Sequence, residues 1–200
     1  MPPDILLALL SFAFVSSMTP GPNNVMLLAS GVNFGFVRSL PHMAGITLGF
    51  VVMIALVGLG VAGLFTAWPP ARTVLSVVSV AYLLWLAWKI ATAAPPSGAV
   101  ATDARPLSFW QAAAFQWVNP KGWTAALTAN ALYAPGADLP SVAVVAGAFL
   151  LVSLASVTVW TVLGRTLRRA LQHPGRLRAF NLTMAALLVA TLYPFVAALL

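Results

Sequence analysis

Two proline-centred interruptions constrain this chain more than any other feature: Thr19-Pro20-Gly21-Pro22-Asn23-Asn24 and Asn119-Pro120-Lys121-Gly122. They lie a hundred positions apart, each inside an otherwise apolar stretch. A helix in lipid must satisfy its backbone polar groups internally. It therefore carries such a break only where protein, water or cargo meets the freed groups. A matched pair of breaks at corresponding points of two halves is a pointer to a site.

Composition fixes the surroundings. Hydrophobic residues make up 61% of the 200 positions and charged residues only 6%, against about a quarter charged in a soluble domain. The chain reads as an all-α integral membrane protein, one helical unit over 1–200 with no separate aqueous domain. Cysteine is absent, which excludes disulfides, thiol redox chemistry and thiolate metal sites. The acidic residues are Asp4, Asp103 and Asp138, all in or beside predicted loops, so the net charge of +7 comes from Arg and Lys. In so apolar a chain that excess marks cytoplasmic loops and anionic lipid headgroups. Nucleic acid is not an expected partner, because no basic region with interleaved aromatics lies outside the predicted spans. Ile5 to Val15 resembles a signal-peptide core, but it lacks a basic flank and a cleavage pattern and is expected to be mature structure.

Roughly twenty apolar residues cross a bilayer core, and charge-free intervals then predict six spans at about 5–30, 42–66, 72–93, 108–133, 140–163 and 178–199. The first and fourth contain the breaks. Short turns are expected at Trp68-Pro69-Pro70, at Ala134-Pro135-Gly136-Ala137-Asp138 and at His173-Pro174-Gly175. A longer Pro/Ala-rich linker, residues 94–107, divides a first three-helix repeat (1–93) from a second (108–200). Arg38, Lys89, Arg105, Arg165, Arg168, Arg169, Arg176 and Arg178 flank three connections, while the opposite side holds only Arg72. The positive-inside rule places those connections in the cytoplasm, with both termini on the extracytoplasmic side. An odd number of spans per half makes the second repeat inverted, the plan of many secondary transporters.

The breaks supply the expected chemistry. Pro20, Pro22 and Pro120 each lack an N–H, which should release the carbonyls of Ser16, Met18 and Gln116 from the helical ladder. Gly21 and Gly122 are expected to let the backbone turn without a Cβ penalty. Each new half-helix offers N–H groups to an anion, and each preceding one offers bare carbonyls to a cation. A zwitterion such as an amino acid has both charges at that spacing. Lys121 adds full charge at the carboxylate end; it lies about thirteen residues, roughly 20 Å, into its span, too deep to snorkel. The candidate substrate-binding set is Thr19, Pro20, Gly21, Pro22, Asn23, Asn24, Gln116, Asn119, Pro120 and Lys121. No cofactor, metal ligand set or catalytic residue is expected.

Other residues carry blander readings. Gly31 with Gly35 and Gly45 with Gly49 are small-xxx-small pairs suited to close helix packing. Asn130 and Asn181 are expected to bridge helices, as is Gln116 unless it faces the cavity. Lys89, beside Trp85 and Trp88, is expected to snorkel. His42 reads as a solvated interfacial histidine at a helix entrance, and His173 sits in a basic turn. The cluster from Arg165 to Arg178 reads as a topology determinant and lipid contact.

The run Phe14-Val-Ser-Ser-Met-Thr-Pro-Gly-Pro-Asn-Asn24, the spaced glycines that follow it, and Phe115-Gln-Trp-Val-Asn-Pro-Lys121 together resemble the LysE/RhtB family of bacterial amino acid exporters. Length, six apolar segments and the two-motif layout extend the likeness over nearly the whole chain. The resemblance implies a multi-pass protein of the bacterial inner membrane and efflux of amino acids or small derivatives from the cytoplasm, driven by the proton gradient, through a cavity at the positions matching Pro20, Gly21, Pro22, Asn23, Asn119, Pro120 and Lys121. Substrates in that family range over basic amino acids, threonine, homoserine and branched-chain residues, with a distant branch linked to metal ions. One departure stands out. Many relatives carry Asp after Pro-Gly-Pro, where this chain has Asn23, and no predicted span contains a carboxylate. Proton exchange would then fall to Lys121, His42 or the substrate, and a dibasic substrate is disfavoured.

The expectation is thus a non-enzymatic secondary transporter that alternates access around a midplane site, with a small-molecule substrate and membrane lipids as partners and a homodimer permitted. Two alternatives belong to other classes. An integral-membrane enzyme needs a catalytic constellation that three loop Asp and two isolated His do not supply. A scaffold subunit would not need paired breaks.

Overall fold

The computed structural model describes residues 1–93, 105–171 and 173–193, and these are helical apart from short connections. The helices are α1 (Pro3–Met18), α2 (Pro22–Phe34), α3 (Phe36–Gly58), the short α4 (Leu64–Ala67), α5 (Pro70–Ala91), α6 (Phe109–Gln116), α7 (Pro120–Tyr133), α8 (Leu139–Ala170) and α9 (Pro174–Ala190). Three of them, α3, α5 and α8, are long and apolar enough to cross a membrane, and the bent pair α1–α2 makes a fourth if counted as one span. Helices α6, α7 and α9, at 8, 14 and 17 residues, fall short of that length individually.

Local chemistry sets the boundaries. Six of these helices, α1, α2, α5, α7, α8 and α9, place a proline at their first or second residue. There its missing N–H costs nothing and its fixed φ is already helical. Ser108 opens α6 with a reciprocal capping box: its Oγ accepts from the Gln111 N–H at 3.2 Å, and its own N–H donates to Gln111 Oε1 at 3.0 Å. His173 caps α9, its Nδ1 accepting from the Gly175 N–H at 3.2 Å.

Several predicted boundaries move. The expected first loop, around Arg38, is helix: α2 and α3 are joined through Gly35 alone, whose φ of 79° only glycine adopts readily. The second span was expected to run to residue 66, but α3 ends at Gly58, with Gly60 at φ 121° beyond it. Helix α8 continues past its expected end into Ala170, because Arg168 and Arg169 in its last turn are exposed and complement the helix dipole. At 32 residues it is roughly 48 Å long, more than the hydrocarbon core of about 30 Å. Residues 94–104 of the expected linker, and 194–200 of the sixth expected span, lie outside the described residues.

Packing crosses between the two halves. Helices α1 and α2 lie against α8, α6 and α7 lie against α3, and α5 pairs with α9. Where α2 meets α8, a Cβ on Gly31 would sit 2.3 Å from the Thr161 carbonyl oxygen, and one on Gly164 would sit 2.3 Å from that of Leu28. A Cβ on Gly45 would likewise lie 2.3 Å from the Phe109 carbonyl oxygen of α6. Small residues thus let backbones touch where apolar surface alone gives no drive toward association in lipid. Of the two glycine pairs, Gly45, Gly49 and Gly31 pack, whereas Gly35 turns the chain. Around these contacts Phe50 and Phe149 meet edge to face at 5.5 Å, and Leu9, Met53, Ile54 and Phe115 are enclosed. Large side chains such as Leu7, Trp110 and Leu151 point outward, as a lipid-facing surface requires. Lys89 lies over the Trp85 ring at 4.7 Å, with both residues exposed.

Candidate functional site

The two breaks meet. Chain enters the first at Thr19, whose N–H still donates to the Val15 carbonyl at 3.0 Å, and leaves it at Pro22 with α2 bent 55° from α1. The Thr19 hydroxyl also turns back to the Val15 carbonyl. From the second break, Lys121 Nζ crosses to donate to the Thr19 carbonyl at 2.6 Å. Beside it, Asn23 and Gln116 exchange amide hydrogen bonds, Asn23 Nδ2 to Gln116 Oε1 at 2.9 Å and Gln116 Nε2 to Asn23 Oδ1 at 3.2 Å. Gln116 also donates to the Ala112 carbonyl at 2.9 Å and is fully buried.

Several carbonyls at the breaks already have partners. Ser17 O accepts from Asn24 Nδ2 at 2.8 Å and from Ser156 Oγ at 2.8 Å, and Thr19 O accepts from Asn24 Nδ2 at 2.9 Å as well as from Lys121. In the second break the Gln116 carbonyl accepts from the Asn119 N–H at 3.2 Å. Of the carbonyls expected to be freed, those of Ser16, Met18 and Gln116, a tight turn takes that of Gln116, and the neighbouring carbonyls of Ser17 and Thr19 are taken by side chains. Gly21 is corrected too. Its φ of −166° and ψ of −179° are extended backbone open to any residue, and Gly122 is helical. What Gly21 supplies is room, since a Cβ there would lie 2.7 Å from Lys121 Cδ and 3.0 Å from Lys121 Nζ.

Between the breaks is a cavity of about 50 Å³, space for a few water molecules and a close fit for a larger molecule. Gly21, Pro22, Asn23 and Asn24 line it from α2, and Asn119, Lys121 and Gly122 from α7. Both helix N-termini lack a side-chain cap, so their first-turn N–H groups and the Lys121 ammonium make this end of the cavity positive. Among the described residues no carboxylate lines it. Thr19, Pro20, Gln116 and Pro120 belong to the breaks but do not line the cavity, and the side chains of Thr19 and Pro20 are exposed.

Sequence reasoning missed part of the wall. Ser16 and Ser17 at the end of α1, Ile46 and Phe50 of α3, Ala125 of α7, and Ser153, Ser156 and Val157 of α8 complete the lining. Ser153 and Ser156 stand one helical turn apart in a helix long and apolar enough to cross a membrane, a signal that was available, since neighbouring polar residues on a membrane helix face inward. His42 is corrected. It is 2% exposed inside α3, with Nδ1 3.4 Å from Ser30 Oγ, Ser30 Oγ 3.0 Å from Ser39 Oγ, and Nε2 unpartnered. Asn130 bridges α7 to the Ile54 carbonyl of α3 at 3.1 Å, and Asn181 accepts from Asn33 Nδ2 of α2 at 3.2 Å, both in the expected bridging role.

A sequence model of the LysE type translocator family matches residues 14–194, which takes in both breaks and the whole cavity wall. The chain belongs to that family. The cysteine/O-acetylserine efflux protein of Escherichia coli (strain K12) is 34% identical over 192 residues, covering 94% of this chain and 96% of that protein. The protein of the same name from Shigella sonnei (strain Ss046) has the same identity and coverage. That of Salmonella typhi is 34% identical over 196 residues, with 94% of this chain and 96% of its own covered. No solved structure matches the chain. Family membership and the long apolar helices together make this LysE type translocator a multi-pass membrane protein.

Proposed function

We propose that this protein is a secondary transporter that exports small amino acids or their derivatives from the cytoplasm across the bacterial inner membrane. One observation carries the reading: the two helix breaks converge on a single cavity with a cation and two uncapped helix N-termini at its wall. Such a seat suits a carboxylate, and its small size suits a compact cargo. Relatives named for cysteine and O-acetylserine efflux support a small polar substrate.

The working architecture is six spans in two inverted three-helix halves, with both termini outside. Its support is the crosswise packing, in which each half's broken helix lies on the other half's long helix and the third helices pair. Rocking one half against the other would open the cavity to either side in turn. The Lys121–Thr19 and Asn23–Gln116 bonds span the two halves, so this motion must break or remake them. Export is coupled to the proton gradient, and with no carboxylate in the cavity the exchange falls to Lys121, His42 or the cargo itself.

The test loads cells overexpressing the protein with isotope-traced amino acids and follows efflux with and without a protonophore. Faster efflux of a small amino acid, abolished by the protonophore, is the expected result. Turnover of a substrate by purified protein without vectorial movement would overturn the transporter reading. Efflux insensitive to the protonophore would overturn the coupling alone.

A further inference from the structure

We infer that His42 Nε2 is a proton-binding site that controls the opening of the cavity: a proton taken up there drives the two halves apart at the end of the bundle where α2 turns into α3. The inference rests on the exporter reading and names a regulation of its cavity.

The hydrogen bonds fix where the imidazole keeps its own proton. A serine hydroxyl has one hydrogen to donate. That of Ser39 goes to the Gly35 carbonyl at 2.8 Å, so the Ser39 oxygen accepts in its 3.0 Å contact with Ser30. The Ser30 hydrogen is then spent on Ser39, and the Ser30 oxygen accepts in turn from His42 Nδ1, 3.4 Å away. A neutral imidazole has a single N–H. With that hydrogen at Nδ1, Nε2 is a bare base, and it is buried without a partner. Leaving such a group unpaired costs stability, so a native fold that keeps one calls for a functional reason. Lys121 is the opposite case, an ammonium with donors only, one of them on the Thr19 carbonyl.

The position of His42 links it to the motion. Among the described residues it is the only titratable side chain that is buried. Ile46, one turn further along α3, lines the cavity. Gly45, also one turn on, lies against the Phe109 backbone of α6, and Gly31, beside Ser30, lies against the Thr161 backbone of α8. Helices α2 and α3 belong to the first half, α6 and α8 to the second. The backbone contacts that flank the His42–Ser30 pair are therefore ones that rocking must open. Pro41, directly before His42, removes one rung of the α3 ladder and gives the helix a place to bend.

The charges around this end are positive. Helices α2 and α6 carry no titratable side chain, α3 adds Arg38 one turn before His42, and α8 adds the exposed Arg165, Arg168 and Arg169. Lys121 of α7 stands at the cavity wall. The described carboxylates are distant in the fold: Asp4 is in the first turn of α1, and Asp138 is at the start of α8, the opposite end of that helix from Arg165. An imidazolium enclosed here has no counter-charge, and enclosing an unpaired charge is costly. Water admitted between the halves hydrates it. The parted state thus binds the proton more tightly than the closed one, and by linkage the proton favours parting.

The test exploits the absence of cysteine from the chain. Spin labels on two introduced cysteines, Val37→Cys at the start of α3 and Leu167→Cys near the end of α8, both exposed, report the separation of the halves in purified protein. Between about pH 8 and pH 5, the range over which an imidazole gains its charge, the separation should shift to longer values, and in a His42→Gln background it should not. An unchanged separation without that substitution overturns the proton site, and needs no His42 variant to fold. So does an equal shift in a folded His42→Gln protein. Efflux of an isotope-traced amino acid panel from proteoliposomes, with the same pH on both sides, should be faster at the lower pH and lose that dependence in His42→Gln. A shift in separation with pH-independent efflux overturns control of export by His42. A shift in separation with no flux of any amino acid overturns the exporter reading and leaves the proton site standing.

Discussion

The ammonium of Lys121 donates to the carbonyl of Thr19 at 2.6 Å, joining residues 102 positions apart. It is a charge-assisted bond between the two helix breaks, and it lies at the cavity wall. Replacing Lys121 by Ala should lower export by roughly ten- to a hundredfold, the worth of a hydrogen bond to a charged group. Immunoblots of membranes should show near wild-type amounts, because the side chain is only half-buried. Wild-type efflux rates for this variant would remove Lys121 from the site.

Pro20→Ala restores an N–H that the Ser16 carbonyl can accept, extending α1 toward α2 and reducing the 55° bend. Export should fall while insertion persists, since the Pro20 side chain is exposed and no packing is lost. Efflux assays beside membrane fractionation decide it.

Asn23 and Gln116 satisfy each other across the halves. Asn23→Leu strands the buried amide of Gln116, at a cost of about 1–3 kcal/mol, and Gln116→Leu strands the half-buried amide of Asn23 at a smaller one. The double substitution should cost less than the two singles together, with a coupling of roughly 0.5–3 kcal/mol. Unfolding in detergent micelles measures the cycle, and additive losses would show the pair to be independent.

The contact of α2 with α8 has no room for side chains at Gly31 and Gly164, whereas a Cβ on Gly147 meets nothing within 4 Å. Gly164→Ala should therefore destabilise by about 1–3 kcal/mol. Gly147→Ala should be neutral or stabilising, by up to about 1 kcal/mol in a helix. Melting temperatures of the two purified variants should move in clearly different ways.

Asp138, in the connection before α8, caps that helix by accepting the Ser141 N–H at 2.9 Å. That backbone bond, and the Ser141 side chain, hold its carboxyl below the usual carboxylate value. A depressed folded-state value means the charged cap contributes above the ordinary aspartate range near about 4 and fades as pH falls through the folded value. The difference in melting temperature between wild type and Asp138→Ala should be present at neutral pH and shrink on acidification. A difference that grew at low pH would reverse the sign and the explanation.

Much of the site was legible because proline acts locally. Pro22 and Pro120 mark helix starts whatever surrounds them, and a lysine amid apolar residues needs a partner in any fold. The boundary errors have the opposite character. Arg38 and Arg165 looked like ends of spans, but a helix continues through a charge if the side chain reaches outward, and hydropathy does not carry that direction. Gly21 was credited with a turn that its extended backbone does not make, because its role depends on where Lys121 lies.

By itself, then, the sequence determined the helical membrane class, the two break positions and the charge of the site, since each follows from short-range chemistry and composition. Only the tertiary structure decided which polar groups are spent and which are left over. Ser156 reaches Ser17 from α8, Gln116 pairs with Asn23, and Asn119 Oδ1 remains unpartnered. Hydrogen bonds saturate over a few ångström between residues far apart in the chain. The leftover acceptors appear only when the helices are placed against one another.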